Sequence, residues 1–214
     1  MSRLLLDLFA RHGLPAGELE EMERHMAGFV PLVSPQPQVT LLGEGPVRLG
    51  ERMYEAIETP GHAAGHLVFY DAESEVIFCG DHVLPQISPN VSFLPQVEAN
   101  PLGAYLHSLQ EIGRLQVRMA YPGHREPWAG FSARAAELVR HHHERLALME
   151  EKLREPLSAY ALCRAMFGHR LSVHQLRFAL SETIAHLVLL EAEGRIRAVS
   201  CADDSDKVLY QTVV

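Results

Sequence analysis

The sequence predicts a mixed α/β chain in two parts. Three observations predict it. Short β-rich runs separated by Gly and Pro fill residues 39–79 and recur at 117–121. Stretches with helical periodicity bracket and interrupt them. After Glu155-Pro156 the pattern changes to two helices followed by two alternating strands. The 214 residues are 47% apolar and 21% charged, which suits a folded chain with a buried core and excludes a disordered or collagen-like one.

Leu4, Leu5, Leu8 and Phe9 share one helical face that stops at Gly13. Pro15 opens a second helix, with Leu19, Met22 and Met26 as its stripe and Gly28 as its stop. Pro31, Pro35 and Pro37 predict an extended connector. Strands are expected over Val39–Leu42, Val47–Leu49, Arg52–Glu58, Leu67–Tyr70 and Glu75–Cys79. A proline-punctuated loop over Ser88–Asn100, a helix over Leu102–Arg114 and a strand over Val117–Tyr121 follow. A long helix is expected over Ser132–Arg154, with Ala135, Leu138, Val139, His142, Leu146 and Met149 at helical spacing. A short helix over Leu157–Phe167 and a longer one from its N-cap Ser172 to Glu191, ended at Gly194, come next. Arg195–Ser200 and Lys207–Val213 close the chain as a hairpin around the acidic turn Ala202–Asp206. Two helices and a hairpin are the order of a winged helix-turn-helix, so a domain boundary is placed at about residue 150, giving 1–150 and 151–214.

The net charge is −8, against the basic footprint that a general nucleic-acid binder needs. Residues 155–214 carry six basic and seven acidic side chains, with an acidic hairpin tip, so that region is expected to be structural or to border a substrate cleft. The three cysteines, Cys79, Cys163 and Cys201, are scattered and form no Cys-x-x-Cys pair. Neither a disulfide framework nor a zinc knuckle is expected. No membrane-spanning stretch and no signal-peptide pattern are visible, and the cytoplasm is the expected compartment. Thirteen histidines are a large number for this length and hint at metal chemistry.

One pattern occurs three times: a short apolar strand, a glycine, then a residue able to bind a metal. Arg52–Glu58 leads through Thr59-Pro60-Gly61 to His62. Val76–Cys79 leads through Gly80 to Asp81. Val117–Tyr121 leads through Pro122-Gly123 to His124. Glycine permits the sharp turn that lifts the next side chain off the sheet. Three strand ends can thus aim two imidazoles and a carboxylate at one cleft, and a carboxylate can bridge two ions.

Thr59-Pro60-Gly61-His62-Ala63-Ala64-Gly65-His66, Gly80-Asp81-His82 and Pro122-Gly123-His124, in that order, resemble the later metal-binding motifs of the metallo-β-lactamase superfamily. The segment Asp81–Ser92 is similar to members with a C-terminal winged helix, beside the hydroxyacylglutathione hydrolases. The resemblance implies a partial αββα sandwich followed by a small winged-helix domain. It implies His62 on a first metal, Asp81 bridging both, and His124 on the second, with two zinc ions in the complete family site. Asp81 would also orient the bridging hydroxide, and His82 would face substrate. His66 is not normally a ligand. The implied reaction is hydrolysis of an ester, thioester or phosphodiester small molecule by a metal-held hydroxide.

The chain departs from the pattern in one respect. The motif His-x-His-x-Asp-His, which supplies the remaining four ligands, occurs nowhere in the 214 residues. His141 and His143 are followed by Glu144-Arg145, and on a helix they point about 200° apart, so they cannot share an ion. Three readings stand: a fragment or a start site placed too far downstream; a natural truncation surviving as a binding or assembly module; or a site rebuilt from other residues or a second chain. The expectation is a hydrolase by descent, inactive or metal-poor as this chain. In the alternative, a non-catalytic module, a partner or second copy would cover the exposed sheet. The His141–His143 run is expected on a solvated helix face, Cys79 in the core, and Trp128 in packing or at a cleft wall.

Overall fold

The computed structural model describes residues 2–35, 38, 42, 45–200 and 206–213. All but Leu42 of the expected strand over Val39–Leu42, and most of the acidic turn, fall outside those residues. Six helices are described, α1 (Ser2–Arg11), α2 (Ala16–Ala27), α3 (Pro101–Ile112), α4 (Phe131–Lys152), α5 (Ala159–Phe167) and α6 (Val173–Ala192). Seven strands accompany them: β1 (Val47–Leu49), β2 (Arg52–Glu58), β3 (Leu67–Asp71), β4 (Val76–Gly80), β5 (Met119–Pro122), β6 (Ile196–Ser200) and β7 (Val208–Thr212). A 3-10 turn over Val30–Val33 replaces part of the expected extended connector, with Pro31 seated in its first turn, where a missing N–H costs nothing. Among the described residues no helix is long and apolar enough to cross a membrane.

The chain forms two compact units. One holds residues 39–91 and 101–144, and the other holds 1–38, 92–100 and 145–214. The expected division lies at about residue 150. The break near 145 is close, but α1 and α2 belong with the C-terminal residues, because their apolar stripes find partners there. Leu5, Leu6, Phe9 and Met22 are buried in the same unit as Leu162, Leu180, Ile184 and Leu190.

In the first of these units the sheet order is β1-β2-β3-β4-β5. β2 pairs antiparallel with β3, and β3 with β4, whereas β4 and β5 are parallel. Hence β2, β4 and β5 all run the same way, and their C-terminal ends lie along one edge of the sheet, beside the start of β3. One face buries Val68, Tyr70, Ile77, Cys79 and Ala120. Leu102, Tyr105, Leu109 and Ile112 of α3 and Phe131, Ala135 and Leu138 of α4 are also buried in this unit. The other face leaves Phe78 and Tyr121, cross-strand partners stacked 5.0 Å apart, 40% and 37% exposed.

In the other unit, α5 starts at Ser158, whose hydroxyl accepts from the Ala161 N–H. The N-terminus of α6 is closed by a capping box: Ser172 Oγ accepts from Gln175 N–H, and Gln175 Oε1 accepts from Ser172 N–H. β6 and β7 pair antiparallel, and Leu157 adds a bridge to Tyr210.

Candidate functional site

The sheet edge just described gathers the chemistry. Gly61 has φ +116°, and a Cβ there would lie 2.4 Å from Tyr105 Cβ and 2.8 Å from the Pro101 carbonyl. Gly80 has φ +51°, and the space of its missing side chain is taken by the His66 ring, whose Nε2 would stand 2.7 Å from a Cβ. At Gly123 close approach decides: a Cβ would lie 2.4 Å from Asp81 Oδ1. Each strand-end glycine is therefore required where it stands.

Asp81 and His124 meet, with His124 Nε2 3.5 Å from Asp81 Oδ2. The parallel β4–β5 pair delivers them side by side, and Gly123 N–H donates to the Gly80 carbonyl at 2.7 Å to lock the two turns together. His124 is 69% exposed and Asp81 33%. Asp81 Oδ1 is nevertheless buried and accepts no hydrogen bond.

His62 is oriented otherwise. Its Nδ1–H donates to the Asn90 carbonyl at 2.9 Å, which leaves Nε2 with its lone pair, the tautomer of an imidazole ready to ligate. Its ring neighbour is His66, at 6.2 Å between centroids. His66 Nδ1 is 2.8 Å from Thr59 Oγ1, and the Thr59 N–H donates to the His66 carbonyl. Burial pulls the His66 pKa down, the neighbouring His62 adds to this, and Asp81 opposes it.

His82 is turned inward. The side chain expected to face substrate is fully buried. Its Nε2 is 2.9 Å from Ser108 Oγ, its N–H donates to the Cys79 carbonyl, and its carbonyl accepts from Tyr105 Oη at 2.9 Å. Tyr105 meets its ring edge-on at 4.8 Å. Burial, with smaller contributions from His66 and His62, lowers its pKa to about 3, so it is a neutral anchor behind Asp81. Adjacent residues in a turn point apart; with Asp81 outward, His82 goes in. Sequence reasoning passed over Thr59, Tyr105 and Ser108. The available signal for the last two was a hydroxyl pair at i, i+3 on the otherwise apolar buried side of α3.

The remaining candidates are simply placed. Cys79 is buried, with its thiol pushed up to about 12 by desolvation. Trp128 pairs its backbone with Ala120 and tilts toward Phe131 at 6.1 Å. His142 is not on a solvated face: it is fully buried, edge-on to Tyr105 at 5.5 Å.

The dinuclear centre that the resemblance implies does not fit these residues as they stand. Among the described residues no three His, Cys, Asp or Glu side chains are close enough to hold one ion. Asp81 and His124 form a pair, and His62 is engaged with Asn90 and His66. Divided between two ions, they leave one imidazole and a shared carboxylate to each, below the three protein ligands usual even for an open zinc site. Asp81 Oδ1 is buried and has no hydrogen-bond partner among the described residues.

A family model described as the metallo-beta-lactamase superfamily matches residues 6–124, and one described as the metallo-beta-lactamase-like C-terminal domain matches residues 146–211. The probable metallo-hydrolase YqjP of Bacillus subtilis strain 168 is 28% identical over 165 residues, 75% of this chain and 50% of that protein. The atrochrysone carboxyl ACP thioesterase of Aspergillus fumigatus is 39% identical over 69 residues, 32% of this chain and 19% of that one. Among solved structures, a beta-lactamase domain protein from Burkholderia ambifaria has a TM-score of 0.84 at 33% identity, covering 96% of this chain and 60% of its own. A metallo-beta-lactamase family protein from Thermus thermophilus has a TM-score of 0.77 at 32% identity, covering 96% and 62%. The chain spans about half the length of the curated relatives it matches. With a family model covering more than half of its residues, the chain belongs to the metallo-beta-lactamase superfamily.

Proposed function

We propose that these 214 residues carry one half of a metal-dependent hydrolase site, acting on an ester, thioester or phosphodiester when complete and metal-poor as this chain alone. The observation that carries this reading is the Asp81–His124 pair at 3.5 Å, with Asp81 Oδ1 buried and unpartnered, next to a His62 whose Nε2 is free. Zinc is the ion we favour, because imidazole and carboxylate donors suit it. A thioester substrate is favoured by the similarity to the Aspergillus thioesterase, which spans 69 residues. Asp81, His62 and His124 would be the ligands. Residues 146–211 would form a winged-helix domain that does not bind nucleic acid, given the acidic balance there.

The test is complementation. Expressed with a superfamily segment bearing His-x-His-x-Asp-His, the chain is expected to gain thioester hydrolysis that Asp81→Asn abolishes. Hydrolysis by the 214 residues alone, or none after a folded complex has formed, would contradict the reading. A second reading, a non-catalytic module whose sheet is covered by a partner or second copy, is favoured by the exposed Phe78–Tyr121 stack. A monomer in light scattering counts against it.

A further inference from the structure

We infer that His25 and His174 form a second, separate binding site for a divalent transition-metal ion, at the seam between α2 and α6. The two imidazoles lie 149 positions apart in sequence, and His25 Nε2 stands 3.3 Å from His174 Nδ1. That separation is long for a hydrogen bond between ring nitrogens. It matches a chelate: two nitrogens each about 2.0–2.1 Å from a tetrahedral zinc stand about 3.3–3.4 Å apart. The rings are nearly perpendicular, with 5.5 Å between centroids.

The surroundings hold the pair in place. Phe29 meets His25 edge-on at 5.0 Å and stacks on His174 at 5.8 Å, and Phe178 meets His174 edge-on at 4.9 Å. Aromatic walls restrict both imidazole rotamers, so little order remains to be imposed when an ion arrives. Glu21 is one turn before His25 on α2. Water would complete the coordination, since no third His, Cys, Asp or Glu side chain among the described residues joins the pair.

Two charges oppose a cation here: Arg177, over the Phe178 ring at 4.2 Å, and the N-terminal end of α6. One feature offsets them: His25 is in the last turn of α2, where the helix carries its partial negative charge. The balance describes an accessible, exchangeable site and not a buried structural one. It shares no residue with His62, Asp81 or His124, and its test is independent of the hydrolase reading.

The experiment is a calorimetric titration of the whole chain with zinc chloride, for the unsubstituted protein, His25→Ala, His174→Ala and the double variant His62→Ala/His124→Ala. One zinc equivalent is expected whose affinity falls at least about tenfold in each of the first two variants, the lower end of what losing even an outer-sphere partner costs. The same equivalent is expected to persist in the double variant. In the unsubstituted chain, zinc is also expected to shield His25 and His174 from diethylpyrocarbonate, a readout that needs no variant to fold. Unchanged zinc affinity in both single variants, or no shielding of the two imidazoles, overturns the inference.

Discussion

Two carboxylates at opposite ends of the same sheet behave in opposite ways. Asp71 ends β3, and Asp81 follows β4, which runs antiparallel to it. Asp71 is satisfied within the chain. It accepts from Arg52 Nη1, from Ser74 Oγ and from the N–H groups of Glu73 and Ser74, and only 7% of its side chain is exposed. Its hydrogen bonds, those from Ser74 and Arg52 foremost, hold its pKa down at about 2. Asp81 has one oxygen buried without a partner and the other 3.5 Å from an exposed imidazole. The first serves the fold. The second has no such set of partners among the described residues.

The largest expected effect is at the turn that delivers His62. Gly61→Ala places a Cβ into Tyr105 and the Pro101 carbonyl at a positive φ, so urea unfolding should show a loss of about 3–4 kcal/mol, from overpacking plus backbone strain. A loss under about 1 kcal/mol would mean that the edge is far looser than described.

Next comes the anchor behind Asp81. Ser108→Ala strands His82 Nε2 in a buried site and should cost about 1–3 kcal/mol. His82 also gives a pH signature. Its folded pKa lies below its unfolded value of about 6.5, so its contribution to stability is complete above 6.5 and is lost as pH falls toward about 3. The pH dependence of the urea midpoint should flatten in this range in His82→Phe.

Asp71 acts lower still. Its depressed pKa makes its contribution complete above about 3.8, the unfolded value, and lost as pH falls through about 2. Asp71→Asn should lower the midpoint at neutral pH and remove this acid limb. The smallest effect closes the comparison. Asp81→Asn should leave stability unchanged within ~0.5 kcal/mol, because its Oδ1 accepts no hydrogen bond for the substitution to remove. Equal destabilisation by Asp71→Asn and Asp81→Asn would break the contrast.

Much of the sheet was legible. β1 and β2 fall on their expected bounds, because turn residues at Gly50 and Pro60 punctuate them. β5 starts two residues later than expected, since pairing with β4 begins only at Met119 opposite Val76, while Arg118 N–H turns to the Glu75 carbonyl. The strand–glycine–ligand pattern signalled the turns at Gly61, Gly80 and Gly123, and the structure gives each a steric reason. What was not legible is long-range. No local pattern says that α1 and α2 pack with the C-terminal helices, that Ser108 and Tyr105 draw His82 inward, or that His25 finds His174. Those depend on which surfaces meet, and periodicity describes one surface at a time.

The central claim is that Asp81 and His124 are part of a metal centre that this chain alone does not complete. The most direct measurement is the metal content of the purified chain after dialysis, compared with Asp81→Asn in a His25→Ala/His174→Ala background that removes the second site. The account predicts far less than two equivalents of zinc, unchanged by Asp81→Asn. Two retained equivalents that Asp81→Asn eliminates would contradict it.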